Sequence, residues 1–315
     1  MANITLLDIA KHNGNDAVVG MIEESISAHP EIALGDARTI SGTSFKSLVR
    51  TTFPAVGFRD INEGVATANA VYEQRTTACK LIDCSSEVDA AAEQASDEGL
   101  DTILAREMDA KVESAMRGLS SQFYYGIAST VGVSSTATSP AKGFPGLVDL
   151  YDTTNMEVDG AGSSGTYTSV WLVKFGPKYV QWVVGNDGLF NIGETQSVRL
   201  TDGSWNSYDG FRKAMTFWVG LHGANPRNAA VRIKKLDTSA TLSDTLLAQA
   251  VEKFAVGVVP DVVLMTRRSL RQLKTSRSTY NPTGDPSPWP SSIVGLADRN
   301  IPIMVTDAIS QSETS

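Results

Sequence analysis

Cysteine and histidine are scarce: Cys79 and Cys84 are the only cysteines, and His12, His29 and His222 the only histidines, in 315 residues. Two thiols with no neighbouring His or Cys pair exclude a disulfide framework and a zinc site, so both are read as reduced thiols of a cytosolic protein. No apolar run approaches the roughly 18 residues that span a bilayer, which removes a membrane-spanning helix and a membrane partner. The beginning, MANITLLDIAKHNGND, lacks a basic region followed by an apolar stretch and a cleavage site, and is not read as a secretory signal. Catalytic signatures are missing too. There is no GxxxxGKS/T phosphate loop, GxSxG elbow, HExxH or GxGxxG after a strand. The three histidines stand far apart in sequence and are read as surface or packing residues rather than general bases. Carboxylates are plentiful, but nothing selects one pair for acid–base work. No catalytic, cofactor-binding or metal-ligating residue is assigned, and no cofactor is expected. Basic charge is also short: 27 Lys and Arg against 35 Asp and Glu leave a formal charge of −8, which excludes a broad nucleic-acid-binding surface.

The charge that is present is unevenly placed. Nine acidic residues lie between Glu87 and Glu113 against Arg106 and Lys111, whereas twelve basic residues between Arg212 and Arg277 face only Asp237, Asp244, Glu252 and Asp261. That polarity suits contact between copies of the chain.

The order of elements says more. Val18, Met21, Ile22 and Ile26 recur at helical steps until Pro30, in an arm too short to stand alone. Residues 36–84 read as a two-stranded excursion, ARTISGTSFKSLVRTTF and VATANAVYEQRTTACKLI, with turn points at Pro54, Gly57 and Gly64 and too few large apolar residues for a core. Ser86 and Asp89 predict the capped start of one long helix running to Gly126, with Val88, Ala92, Leu100, Leu104, Met108, Val112, Leu119 and Phe123 on one face and a bend at Gly99. Some 38 residues would span roughly 57 Å, and without sustained heptads this is a single helix lying across a sheet.

After a Ser/Thr/Gly-rich stretch, TYTSVWLVKF and KYVQWVVG predict an antiparallel pair joined at Gly176 and Pro177. Trp171, Trp182, Trp205 and Trp218 are read as rings packed in a sheet core rather than as a ligand platform. The remainder alternates: a helix carrying Leu242 to Phe254, the buried strand DVVLM, a basic helix capped by Thr266, the Pro-rich loop NPTGDPSPWP, and the strand IPIMVTDAI. These describe a small α/β layer, after which the SQSETS tail is expected to be free.

Three stretches carry a family resemblance. FPAVGFRDINEGV (Phe53 to Val65) with SSEVD, FWVGLHGANPRNAAVRIKKLD (Phe217 to Asp237), and PDVVLMTRRSLRQL with IPIMVTDAI resemble parts of the major capsid proteins of tailed, and within these short-tailed, bacteriophages. The resemblance implies the α+β Hong Kong 97-type fold: an N-terminal arm (1–35), an extended hairpin loop (36–84), a peripheral domain of long spine helix and β-sheet (85–126 and 166–237), and an α/β axial domain (127–165 and 238–315). It implies a non-enzymatic virion protein, assembled in the host cytoplasm into hexamers and pentamers of an icosahedral shell around double-stranded DNA that it contacts weakly at its inner surface. Scaffolding, portal and decoration proteins are the further partners it implies. Some members cross-link subunits through a lysine and an asparagine; Lys46 and Lys80 lie in the loop region, and no motif assigns either that role. The alternatives are an encapsulin-type nanocompartment shell, a β-rich phage tail or surface-binding module, and a hydrolase using unrecognised carboxylates.

Overall fold

The computed structural model describes residues 29–95, 99–126, 142–151, 155–202, 204–223, 229–279, 289–294 and 300–313. The expectations for the arm before residue 29, including His12, for residues 129–141 and for most of the Pro-rich loop lie outside these residues. In chain order the elements begin with α1 (Pro30–Leu34), β1 (Ala37–Thr39), β2 (Ser44–Thr52), β3 (Val71–Ala78), β4 (Lys80–Asp83) and β5 (Ser86–Asp89). Helices α2 (Ala90–Gln94), α3 (Leu100–Tyr125) and α4 (Leu147–Tyr151) follow. Next come β6 (Glu157–Asp159), β7 (Thr168–Val173), β8 (Val180–Val184), β9 (Asn191–Ile192), β10 (Gln196–Thr201), β11 (Ser207–Lys213), β12 (Met215–Gly223) and β13 (Ala230–Leu236). The chain closes with α5 (Asp244–Glu252), β14 (Val262–Met265), α6 (Arg267–Thr279), β15 (Ser292–Val294) and β16 (Asn300–Val305).

Four sheets result. The largest has the order β15-β16-β14-β7-β13-β6. Its central strands, TSVWLV in β7 and VVLM in β14, are buried at every position, as unalternating apolar runs require when both faces are covered. The expected α/β layer is here: β14 and β16 run parallel, with Val263 opposite Ile303, and α6 lies between them in the chain. Thr266 starts α6 by accepting a hydrogen bond from the Ser269 amide at 3.2 Å, and Leu273 is fully buried beneath it. A second sheet has the order β1-β8-β12-β4, with β9 on β12; the third is β10-β11-β5, and the fourth is the β2–β3 hairpin alone.

The long helix is shorter than the sequence reading. Ser86 and Asp89 bound a strand, β5, in which Val88 pairs with Phe211 and is completely buried. Asp89 caps only the five-residue α2, accepting from the Ala91 amide at 2.8 Å. The helix α3 then starts after Gly99, whose φ of 81° no β-branched or bulky residue adopts cheaply, and runs 26 residues, about 39 Å. A β-branched residue with a strand partner wins over helix periodicity at this boundary.

Four other expectations change. β7 and β8 do not pair as a hairpin; they enter different sheets, because Gly176 at φ 137° redirects the chain and β7 pairs instead with β13 and β14. β7 and β13, assigned by the reading to the peripheral sheet, therefore share a sheet with β14 and β16. Trp171 and Trp182 are core rings at 1% and 5% exposure, but Trp205 sits at 87% on the β10–β11 turn. The tail is not free either. Glu313 is buried and exchanges two backbone hydrogen bonds with Tyr167.

Candidate self-association surfaces

β2 and β3 pair from Ser44–Ala78 to Thr52–Val71, with an irregularity between Arg50 and Thr52, and among the described residues no third strand pairs with either. A strand this long reaches about 30 Å at 3.3 Å per residue. At the far end, Phe53, Val56, Phe58 and Ile61 are 71%, 93%, 108% and 92% exposed. The tip nevertheless has local order: the Glu63 amide donates to the Asp60 carbonyl at 3.2 Å, Arg59 donates to the Glu63 carbonyl at 3.1 Å, and Asn62 takes a φ of 72°. The Arg50 guanidinium lies 4.1 Å from the Phe53 ring centroid. These contacts order the tip while Val56, Phe58 and Ile61 stay in solvent, where burial would be worth about 1.5–3 kcal/mol for each large side chain.

The base of the hairpin is anchored through β12. His222 is 1% exposed, its ring edge-on to Phe45 at 4.9 Å, and its Nδ1 shares a 2.9 Å hydrogen bond with the Thr77 hydroxyl. Arg38 covers the other part of Phe45 at 4.8 Å. Gly220 allows β12 to approach closely: a Cβ there would sit 3.1 Å from the Ala78 carbonyl oxygen. Burial first, then Arg38 and Arg75, hold the His222 pKa below the ordinary histidine range. As pH falls through roughly 6.5 the unfolded chain takes up this proton before the folded one, so stability is full above that value and falls below it. Thermal melts at about pH 7.5 and about pH 5 should separate in the native chain, and the separation should shrink in His222→Gln. Equal separation in both would remove His222 as the cause.

A second apolar surface lies between α3 and the β1-β8-β12-β4 sheet. Val112, Met116, Phe190, Met215 and Phe217 line an open cavity of about 170 Å³. Leu189, Phe190 and Ile192 beside it are 61%, 53% and 58% exposed, and Phe190 stacks on Phe217 at 5.0 Å. Val112 and Leu119, which also lines the groove, belong to the helix face predicted from periodicity; the β8–β12 side of the groove had no signal in sequence, because its residues come from separate segments.

Two polar knots brace the large sheet behind these surfaces. Glu313 accepts from the Tyr125 hydroxyl at 2.6 Å, from the Ser169 hydroxyl at 2.7 Å and from Arg232 at 3.0 Å, and Arg232 lies 3.7 Å from Glu157. Asp237 accepts from the backbone amides of Ala240, Ser239, Ser163 and Ser164 and from the Ser239 hydroxyl; the Ala240 amide leads in holding its carboxyl well below the usual carboxylate range.

The residues singled out in sequence stay scattered. His29 hydrogen-bonds Ser120 at 2.9 Å beside α3, His222 sits under the hairpin, and Lys46 and Lys80 are exposed on β2 and β4. Cys79 and Cys84 are buried free thiols flanking β4, with pKa values raised by burial. Among the described residues no group of His, Cys, Asp and Glu is arranged to hold a metal ion.

The family model of major capsid protein GP7 matches residues 14–315. The chain belongs to the major capsid protein GP7 family. It is a major capsid protein of a tailed bacteriophage with the Hong Kong 97-type fold, a structural component of the virion that associates with itself. A bacteriophage Epsilon15 chain of known structure is similar at a TM-score of 0.69 and 16% identity, over 100% of this capsid protein and 97% of that chain. A Mycobacterium phage Adephagia chain gives 0.44 at 10% identity over 74% and 98%, and the holo-SrpI encapsulin complex of Synechococcus elongatus gives 0.47 at 9% over 75% and 97%. No curated protein matches.

Proposed function

We propose that this capsid protein forms hexamers and pentamers of an icosahedral shell around double-stranded DNA, assembled in the host cytoplasm, with each hairpin tip laid into the α3 groove of a neighbouring subunit. The observation that carries this reading is the exposed tip, Phe53, Val56, Phe58 and Ile61, at the far end of a hairpin whose base alone packs on β12 among the described residues. One apolar patch and one complementary groove at different places on the same molecule make a heterologous contact, the kind that closes into rings. In this scheme the six-stranded sheet with α5 and α6 is the axial domain, extended relative to the sequence reading by β7 and β13. The α3 helix with the β1-β8-β12-β4 and β10-β11-β5 sheets is the peripheral domain. The weak DNA contact agrees with a formal charge of −8, since a shell must enclose its genome without gripping it. Scaffolding, portal and decoration proteins are the further partners we propose for such a shell.

Size exclusion and negative-stain microscopy of the protein expressed alone test the reading. Closed shells or capsomer rings are the expected result. A single-subunit species under every assembly condition would overturn it, and shells filled with one defined protein cargo would favour a nanocompartment instead.

A further inference from the structure

The basic helix α6 breaks a local rule. Arg267 and Arg268 occupy its first turn, where the helix dipole disfavours cations, and that turn carries no acidic residue. Arg267 and Arg271 are exposed and Arg268 partly so, and none of the three has an ion-pair partner among the described residues. Arg277, by contrast, is held by Asp244 at 2.7 Å, and Lys274 lies 4.4 Å over the Trp289 ring. Arg267, Arg271 and Lys274 follow the i, i+4, i+7 spacing of one helix face, opposite the buried Leu273, and so form a stripe about 10 Å long. Beside it lies a polar hollow of about 430 Å³ lined by Arg268, Arg271, Thr238, Thr241 and Thr275. Lys274 is already satisfied by Trp289, but the first-turn cations Arg267 and Arg268 cost stability that nothing among the described residues offsets, and such a feature is best explained by something outside the chain.

The same chain carries a matching surface. On the first half of α3, Asp101 and Asp109 are exposed at i and i+8, about 12 Å apart, while Glu107, partly exposed, falls on the far side of the helix. None of these three has an ion-pair partner among the described residues, whereas Glu113, one turn further, is already held by Arg117 at 3.1 Å. We propose that the Arg267–Arg271–Lys274 stripe of α6 docks on the Asp101–Asp109 stripe of α3 in a second copy of this chain. The proposal rests on the shell reading. It adds a second heterologous contact, electrostatic where the hairpin contact is apolar. A single exposed pair is worth only about 0–1 kcal/mol, but each subunit gives and receives the contact, so the effect accumulates around a ring and sets subunit register more than affinity. A packaged DNA backbone is the competing occupant. It is disfavoured because the stripe is short, the chain is net acidic, and a complement of the same length lies on the molecule itself.

Charge reversal with rescue tests it. Arg267→Glu with Arg271→Glu, and separately Asp101→Lys with Asp109→Lys, should each lower the yield of assembled shells about tenfold, and the four changes together should restore it. All four sites are exposed, so native circular dichroism and a cooperative melt of the unassembled subunits, shifted by no more than the helix-dipole effect of Asp101 and Arg267 in their first turns, will show that the fold is intact. Normal assembly of either reversed variant, or no recovery in the combined one, overturns the pairing while leaving the shell reading untouched. Normal assembly with loss of packaged DNA assigns the stripe to nucleic acid and likewise overturns it. A native chain that never assembles removes the shell reading instead.

Discussion

Aspartate at Phe58 and Ile61 is expected to abolish shell assembly while leaving the subunit folded. Both side chains are fully solvated, at 108% and 92% exposure, so the substitution removes no contact within the chain and should not shift its melting temperature. In the proposed contact each would bury most of a large apolar side chain, worth about 1.5–3 kcal/mol, so the pair accounts for about 3–6 kcal/mol per interface. By the usual conversion that is a weakening of about two to four orders of magnitude, before the cost of desolvating two carboxylates is added. Sedimentation or size exclusion of the purified variant reads the result directly. Shells at native yield would show that the tip does not dock, and the groove beside Phe190 would then need another occupant. A companion change in the groove, Phe217→Asp, is less informative, because Phe217 is 7% exposed and supports the subunit's own core.

The second large effect lies at Glu313. Its carboxylate is the shared acceptor for Tyr125, Ser169 and Arg232, all buried or nearly so, and Tyr125 in turn accepts from the Ser310 amide at 2.7 Å. Among the described residues Glu313→Ala leaves the Arg232 guanidinium with Glu157 at 3.7 Å and the Trp171 ring at 5.6 Å, and strands two buried hydroxyl donors. Breaking a buried pair from one side costs about 3–5 kcal/mol, a large part of the total stability of an ordinary domain. Urea denaturation should show the midpoint falling at nearly constant slope. Glu313→Gln, which keeps an acceptor of the same shape, should recover a good part of the loss. Replacing Arg232 and Glu313 together by leucine and methionine should cost less than the single alanine change, since apolar groups of similar volume leave no charge uncompensated. A loss below about 1 kcal/mol in Glu313→Ala would mean that the last described residues are peripheral to the fold after all.

Periodicity and composition suffice for several parts of this capsid protein. DVVLM and IPIMVTDAI are apolar runs without alternation, and only a strand covered on both faces, such as β14, or one next to it in the same sheet accommodates them. Residues 36–84 are poor in large apolar side chains, so a hairpin outside the core follows from composition. Thr266 before a basic amphipathic run marks a helix start wherever it falls. The family resemblance drew on the same stretches.

Tertiary structure alone decided the rest. Ser86–Asp89 carries a good helix-start pattern, yet Val88 is drawn into a strand by Phe211, more than 120 residues away in sequence. β7 and β8 are neighbours in the chain with compatible patterns, and a glycine at φ 137° sends them into different sheets. The groove beside α3 is assembled from segments 112–119, 182–190 and 215–219, and Glu313 finds Tyr125 and Arg232 across 188 and 81 residues of sequence. The physical reason is the same in each case. Local pattern encodes which faces want to be buried, through a free energy that each residue carries by itself, whereas the choice of what buries them depends on pair contacts between residues distant in sequence, which no local window contains.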